Sequence, residues 1–255
     1  MKKDKKIYNL IDVGASVGEF SEFLYKNFEK KCTIFAIEPL LESFNKINID
    51  SNKKFNIAIG NENKIAELNI YSMHELSSFE KINESIDKDI WKHHLTGTKV
   101  IEKRKVKTIT LETFLIDNNL SKVDFVKVDT QGNDLNIILS ANKCLNSINS
   151  FVIECAYSVD SMLYETGTLL KDVFSFVEDS EFFIYRIVPN GAGECNVFCI
   201  NKNYGINNYE ELEKNLKFYK APCLKLENNF YKFLKQNYDR TYFRYLSKLK
   251  VIPDI

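Results

Sequence analysis

Apolar runs of strand length alternate with helical patterns through most of the chain. The run over 6–13 (KIYNLIDV) is apolar almost throughout, as in a buried strand, and apolar residues over 19–28 then recur at helical spacing. The alternation predicts buried strands over 32–37, 55–59, 123–128 and 151–155 and helices over 39–49, 110–118, 134–145 and 169–177. An α/β fold with a mostly parallel sheet follows.

The later part of the pattern predicts a change of strand direction. Strand-like runs at 182–188 and 195–200 are joined by Pro189-Asn-Gly-Ala-Gly193, which is short enough for an antiparallel hairpin. Beyond residue 201 the spacing is helical to the end. We expect one domain over 1–201 that ends in this hairpin, and a helical extension over 202–255 packed on the same domain.

Two segments depart from the simple alternation. Residues 65–71 and 99–109 alternate between apolar and polar positions, and the second predicts an exposed edge strand. Residues 72–98 lack periodicity and contain all three histidines and the single tryptophan. We expect a loop with one short helix that forms a lid over a site.

Composition and charge exclude several classes of protein. The 255 residues carry 35 Lys and Arg against 35 Asp and Glu, so the zero net charge argues against a general attraction to nucleic acid or anionic membranes. No apolar stretch reaches the roughly 20 residues that span a bilayer. Asp12 and Glu19 interrupt the apolar stretch after the basic start, unlike a signal peptide, so we expect a cytoplasmic protein. The six scattered cysteines predict free thiols and no metal site.

The sharpest motif is the loop Ile11-Asp-Val-Gly-Ala-Ser-Val-Gly18, between a strand and a helix. Gly14 permits a tight turn, and Gly18 allows the helix to start close to the strand. The third glycine of the dinucleotide fingerprint is absent, which favours the amino-acid tail of S-adenosylmethionine over the pyrophosphate of a nicotinamide cofactor. Glu38, at the end of the second strand, is placed to accept hydrogen bonds from ribose hydroxyls.

The ordered motifs resemble the FkbM-type family of S-adenosylmethionine-dependent methyltransferases, from about residue 11 to 188. The block Lys127-Val-Asp-Thr-Gln-Gly132, which leads into a helix, is the most specific of them. The full set comprises IDVGASVGEFSEFL (11–24), AIEP (36–39), NIAIGNENKIAELNIY (56–71), SSF (77–79), TLETFL (110–115), VDFVKVDTQGNDLNIILSA (123–141) and VIE (152–154).

This resemblance implies a class I methyltransferase fold with a Rossmann-like sheet, and usually O-methylation of small molecules or glycans. It implies that the methionine tail lies at Asp12 and the glycine loop, the ribose at Glu38 and the adenine near Asn56 and Ala58. Two positions depart from the family pattern, since Ser16 replaces the usual Asn and Asp134 the usual Glu. The expected cofactor-binding residues are Asp12, Gly14, Ala15, Ser16, Gly18, Glu38, Asn56, Ala58 and Ser78.

Methyl transfer to a hydroxyl group also requires a proton acceptor. Asp129, at the carboxyl end of a predicted strand, is the first candidate, followed by His74 and then Glu154. Asp129 could instead cap the next helix, or share a divalent cation with Glu154. Nothing in the spacing requires a metal.

The leading hypothesis is therefore an O-methyltransferase that acts on a sugar hydroxyl or phosphoryl-type oxygen of a small molecule or surface-glycan precursor. The alternatives are a cofactor-binding scaffold without turnover and a nicotinamide-dependent oxidoreductase. No Pro-Pro-aromatic motif of base methyltransferases follows Asp129, which disfavours nucleic-acid substrates. Aromatic residues over 230–250 recur on one face of a predicted basic helix, which we expect to form a homodimer contact or a wall of the acceptor pocket.

Overall fold

A seven-stranded sheet organises the molecule, with a small three-stranded sheet beside it. The computed structural model describes residues 7–29, 31–49, 53–85, 91, 95–190 and 193–216. The strands are β1 (Tyr8–Val13), β2 (Cys32–Ile37), β3 (Lys53–Phe55), β4 (Ala58–Ile59), β5 (Lys64–Tyr71), β6 (Val100–Ile109), β7 (Phe125–Val128), β8 (Ser150–Ala156), β9 (Phe182–Asn190) and β10 (Glu194–Asn201). The helices are α1 (Glu19–Asn27), α2 (Leu41–Phe44), α3 (Leu111–Asp117), α4 (Asp134–Leu139), α5 (Leu170–Glu178) and α6 (Ile206–Glu213).

The strand order of the large sheet is β3-β2-β1-β7-β8-β10-β9. Neighbours from β3 to β8 pair in parallel, whereas β10 is antiparallel to both β8 and β9. The predicted α/β fold with a terminal antiparallel hairpin is confirmed. The parallel strands end at one edge of the sheet, where an open α/β sheet binds its ligands.

Alternating side chains of each central strand enter two separate cores. On one face, Ile11 and Val126 pack with the apolar residues of α3, α4 and α5. On the other, Leu10 and Phe125 pack with α1 and with Tyr209 of α6. Because a parallel strand with helices on both sides is buried on both faces, its sequence is apolar throughout, as seen over 6–13.

The three-stranded sheet corrects two expectations. The strand predicted over 55–59 is divided, because β3 belongs to the large sheet whereas β4 belongs to the small one. The run over 99–109 is an edge strand only in part. β6 is antiparallel to β5 along most of its length, and only Thr108 and Ile109 at its end also pair with β4, in parallel. The exposed side chains at the start of β6 lie where its backbone pairs with β5 alone.

Two helices are shorter than predicted. Instead of a helix over 39–49, only α2 forms, and Lys46 and Ile47 continue in tighter turns with N–H groups bonded three residues back. The helix predicted over 134–145 ends at Leu139, and a 3-10 helix follows at Asn142–Ser147. Asn142 has a φ of 43°, a left-handed conformation that an α-helix cannot contain. The predicted N-cap of α3 is confirmed, since the Thr113 N–H donates to Thr110 Oγ1 at 3.1 Å.

Parts of the remaining expectations lie outside the described residues. His93, His94 and the aromatic helix expected over 230–250 are among them. Cys32, Cys144, Cys155, Cys195 and Cys199 are free thiols, as expected, whereas Cys223 is not described. In the described ranges, every helix is too short or too polar to cross a bilayer.

Candidate active site

A cavity of about 660 Å³ opens at the carboxyl ends of β1, β2, β7 and β8. Its floor is the glycine loop after β1, and the small sheet and the 3-10 turn His74–Leu76 contribute to its walls. Eight predicted site residues line it, namely Gly14, Ala15, Ser16, Glu38, Ala58, His74, Asp129 and Glu154. The cavity therefore brings most of the predicted site together, including part of the segment expected to form a lid.

The glycine loop passes extremely close to strand β7. Gly14 has a φ of 75°, and a Cβ atom there would lie 1.9 Å from the carbonyl oxygen of Asp129. The N–H groups of Gly14 and Ala15 both donate to the carbonyl oxygen of Ile37, at 3.0 Å each. Gly18 also has a positive φ, and Ile47 packs against it outside the cavity. The loop thus needs a residue without a side chain at Gly14.

Glu38 joins the glycine loop to the end of β2. Its Oε2 accepts a hydrogen bond from the Ser16 N–H at 2.8 Å, and its Oε1 accepts one from the Leu40 N–H at 2.8 Å. Burial of the carboxyl group raises its pKa to about 7. Each oxygen of a carboxylate can accept more than one hydrogen bond, so Glu38 can also bind a ligand in the cavity.

Asp12 lies beneath the loop, outside the cavity wall. The Ser21 hydroxyl donates to its Oδ2 at 2.6 Å, and the Lys127 ammonium group lies 3.4 Å from its Oδ1. Asp12 is fully buried, and its Oδ1 accepts no hydrogen bond from the residues that the structure describes. The ammonium group of Lys127 is therefore the cation that offsets the buried charge.

Lys127 lines the cavity, although the sequence pointed to it only as the first residue of a family motif and not as a site residue. Its Nζ lies 3.2 Å from Asp129 Oδ2 and donates to the Gly14 carbonyl oxygen at 3.3 Å. It thus connects β1, the glycine loop and the end of β7. A lysine inside the otherwise apolar strand FVKV was the available signal.

The carboxylate of Asp129 stands at the cavity with about 40% of its side chain exposed. Its Oδ1 accepts a hydrogen bond from Gln131 Nε2 at 2.8 Å. The predicted alternative, a cap for the next helix, is not what the structure shows. The polar side chain at the start of that helix is Asp134, whose Oδ1 accepts hydrogen bonds from the Thr130 N–H at 2.9 Å and the Thr130 hydroxyl at 2.8 Å.

Glu154 lies one strand further along the same edge and is largely enclosed. Burial, followed by the nearby carboxylates of Asp129 and Asp134, raises its pKa to about 8. The amide of Asn190 donates a hydrogen bond to its Oε1. Glu194, on β10, has its pKa raised as well, first by burial and then by Glu154. At neutral pH this end of the cavity therefore holds a protonated carboxyl group.

Two further expected cofactor residues, Asn56 and Ser78, do not line the cavity. Asn56 Nδ2 donates to the carbonyl oxygens of Glu38 at 3.0 Å and Pro39 at 2.9 Å. Ser78 is buried, and its hydroxyl donates to the Gln131 carbonyl oxygen at 2.6 Å. Within the described part of the chain, no group of three His, Cys, Asp or Glu side chains is arranged to hold a metal ion.

Comparison with known proteins decides the family. The sequence profile of the methyltransferase FkbM domain matches residues 12–186, more than two-thirds of the chain. The chain belongs to the FkbM methyltransferase family. No curated protein matches it significantly.

Solved structures give only weak likenesses. A SAM-dependent methyltransferase from Aquifex aeolicus is 15% identical, with a TM-score of 0.34 over 77% of this chain and 84% of that one. The plantazolicin methyltransferase BamL, in complex with a triazolic desmethylPZN analogue and SAH, is 8% identical, with a TM-score of 0.39 over 92% and 72%. The PH0226 protein from Pyrococcus horikoshii OT3 is 11% identical, with a TM-score of 0.36 over 79% and 85%.

S-adenosylmethionine is the cofactor of this methyltransferase family, and the cavity suits it. Because Gly14 has no side chain, the backbone of the loop is accessible to an amino-acid tail in the cavity. Glu38 offers carboxylate oxygens to hydroxyl groups. Ile57, Leu68 and Phe79 supply an apolar wall of the kind that a planar base needs. When bound, the cofactor supplies an electrophilic methyl group.

Proposed function

We propose that this methyltransferase methylates an oxygen of a small molecule or surface-glycan precursor, either a sugar hydroxyl or a phosphoryl-type oxygen. One observation carries the proposal. The Asp129 carboxylate stands exposed at the cavity beside the glycine loop, oriented by Lys127 and Gln131. A hydroxyl acceptor must lose its proton during transfer, and a fixed carboxylate can take it.

In this proposal Gly14, Ala15 and Ser16 would hold the amino-acid tail of the cofactor. Asp12 acts from below, because it lies under the loop and not in the cavity wall. Gly18, just before α1, also acts indirectly, because its lack of a side chain allows Ile47 to pack closely against it.

Residues at the ends of β2 and β4 would hold the nucleoside part of the cofactor. Glu38 would accept hydrogen bonds from the ribose hydroxyls, and Ala58 in the cavity wall would contact the adenine. Asn56 holds the chain after Glu38 through its two hydrogen bonds to backbone carbonyls. Ser78 supports the site through the backbone of Gln131, which carries the side chain that orients Asp129.

Two other groups compete with Asp129 for the role of base. His74 lies in the wall formed by the 3-10 turn, and Glu154 lies beyond Asp129 on β8. Since Glu154 holds its proton up to about pH 8, it suits a hydrogen-bonding role toward the acceptor better than proton removal at neutral pH. His74 is therefore the second candidate.

The test is Asp129→Asn, with the exposed Asp117→Asn as a matched control. Turnover should fall by about 10²- to 10⁴-fold in the first variant only. The dissociation constant of S-adenosylhomocysteine, measured by calorimetry, should change by only a few-fold in both. Radiolabelled cofactor would be supplied with neutral glycosides, nucleotide sugars and phosphorylated precursors as acceptors. Unchanged turnover in Asp129→Asn would remove this residue from the reaction.

The same panel separates the alternatives. A scaffold without turnover would bind S-adenosylhomocysteine yet label no acceptor, and a nicotinamide enzyme would be stabilised against heat by NAD instead. We also propose a cytoplasmic location, where precursors of this kind are available. Residues 230–250 would form either a homodimer contact or a wall of the acceptor pocket. Deleting residues 229–255 should then lower the mass measured by light scattering or raise the Michaelis constant for the acceptor.

A further inference from the structure

The cavity continues past Asp129 onto the hairpin strands. Across β8, β10 and β9, Glu154 pairs with Asn196, and Asn196 pairs with Val188. Residues that pair directly across neighbouring strands project from the same face, so these three side chains form one row. All three line the cavity, together with Pro189 and Asn190 at its end.

Val188 and Asn196 of this row lie outside the segment that defines the family, whereas Glu154 lies inside it. The FkbM profile ends at residue 186, before Val188, Asn190 and Asn196. The family match therefore says nothing about these positions, although they adjoin the carboxylate at which the methyl group would be transferred. Such an adjoining region is where an acceptor would be held.

The polar groups of this row both donate and accept hydrogen bonds. Asn196 is half-buried in the cavity wall, where its amide can both donate and accept hydrogen bonds. Asn190 donates to the Glu154 carboxyl group, which burial and neighbouring carboxylates keep protonated at neutral pH. Hydroxyl groups also donate and accept, so the row matches a polyhydroxylated molecule.

The charges around the cavity oppose an anionic acceptor. Lys127 is the only lysine or arginine among the described residues that line it, and its ammonium group is already within 3.4 Å of Asp12 and 3.2 Å of Asp129. The lining carboxyl groups are more numerous, namely Glu19, Glu38, Glu75 and Asp129 beside the protonated Glu154, which adds no charge. A phosphate or carboxylate placed beside Asp129 would meet like charge, and the Lys127 ammonium group is already shared between Asp12 and Asp129.

We propose that Glu154, Asn190 and Asn196 form an acceptor subsite that binds the hydroxyl groups of an uncharged sugar and rejects its anionic counterparts. This inference rests on the proposed function, and it chooses between the two kinds of oxygen which that proposal leaves open. By holding such a sugar beside Asp129, Glu154, Asn190 and Asn196 would select a sugar hydroxyl as the oxygen that is methylated.

The experiment compares matched acceptors that differ only in charge. Methyl hexopyranosides of gluco, galacto and manno configuration would be tested against the corresponding methyl hexuronosides and hexoside 6-phosphates, with radiolabelled cofactor. We expect kcat/KM for at least one neutral glycoside to exceed that of its anionic counterparts by tenfold or more. Equal or higher values for the anions would overturn the subsite while leaving oxygen methylation intact.

A substitution in the subsite supplies the second measurement. Asn196→Leu keeps the size but removes the hydrogen bonds, so it should raise the Michaelis constant of the neutral acceptor about tenfold without changing S-adenosylhomocysteine affinity. Asn136→Leu, on the exposed side of α4, is the matched control and should change neither. An unchanged Michaelis constant in Asn196→Leu would contradict the assignment.

The remaining outcomes also decide between the two proposals. If label enters only amine or thiol acceptors, the proposed function is wrong and the subsite fails with it. If no acceptor is labelled, saturation-transfer NMR on the protein loaded with S-adenosylhomocysteine measures binding directly. Neutral glycosides that bind while uronosides do not would support the subsite; any other pattern would refute it.

Discussion

Lys127→Met tests the central electrostatic arrangement of the site. The variant keeps an unbranched side chain of similar length, so it preserves most of the packing against α1 while removing the ammonium group. In the native protein that group lies 3.4 Å from Asp12 Oδ1 and 3.2 Å from Asp129 Oδ2. Only Asp12 is fully buried, and it therefore determines the energetic consequence.

The expected loss follows from what remains after the substitution. Asp129 is partly exposed, so water can screen its charge. Asp12 would retain the hydrogen bond from Ser21 but would have an unbalanced buried charge. Breaking a buried ion pair by removing one partner costs about 3–5 kcal/mol, which is a large part of the 5–15 kcal/mol that stabilises a typical domain.

Urea unfolding followed by fluorescence measures this loss. With an m value of about 3 kcal/mol/M, the midpoint of Lys127→Met should fall by about 1 M or more. The double variant Asp12→Asn, Lys127→Met should recover most of the loss, because Asn accepts the Ser21 hydrogen bond without a charge. A single variant within about 1 kcal/mol of the native protein, or a double variant no better than the single one, would refute the reasoning.

Three further predictions address the cavity. Gly14→Ala should lower the thermal midpoint far more than the control Gly60→Ala, because its Cβ would meet the Asp129 carbonyl at 1.9 Å and its φ of 75° alone costs about 1–2 kcal/mol. Glu38→Ala should weaken S-adenosylhomocysteine binding about 30- to 150-fold in calorimetry, since two lost ribose hydrogen bonds are worth roughly 2–3 kcal/mol; a change below threefold would contradict the assignment. The raised pKa of Glu154 means that the folded state loses stability as pH rises from about 4.5 to about 8. Glu154→Gln removes this loss, so urea unfolding should show its free energy of unfolding, relative to the native protein, to be higher at pH 9 than at pH 5 by at least about 1 kcal/mol. An equal difference at both pH values would contradict the raised pKa.

The hydrophobic pattern predicted the large sheet because both of its faces are covered. Strands such as β1 and β7 must be apolar almost throughout, and no alternative element of that length fits. The same criterion held only in part for β6. Its exposed start pairs with β5 alone, whereas the buried Thr108 and Ile109 at its end also pair with β4. The second pairing depends on a strand about fifty residues away in sequence, which local periodicity does not reveal.

The site was predicted unevenly for a similar reason. Local motifs placed Gly14, Glu38 and Asp129 at strand ends, and the structure brings them to one cavity. Lys127 was noted only as part of a motif, and its role was not predicted, since its partners Asp12 and Gly14 are more than a hundred residues away in sequence. Asn196 was not predicted for the same reason. Its place beside Glu154 depends on the register between β8 and β10, which no local pattern encodes.

Asp134 and Glu154, two enclosed acidic residues near one end of the cavity, differ in how their environments stabilise them. Asp134 is fully buried, and the hydrogen bonds it accepts from the Thr130 N–H and hydroxyl and from the Glu154 N–H offset part of the cost of its burial. Burial still raises its pKa to about 6, a smaller shift than that of Glu154. Glu154 has one such bond, from the Asn190 amide. A carboxyl group whose pKa is raised to about 8 contributes less to stability above that pH than a glutamine of the same shape would. Asp134 is thus explained by folding, because it joins the start of α4 to β8. Glu154 is better explained by a ligand, because the groups that would stabilise it most are the hydroxyls of an acceptor in the cavity.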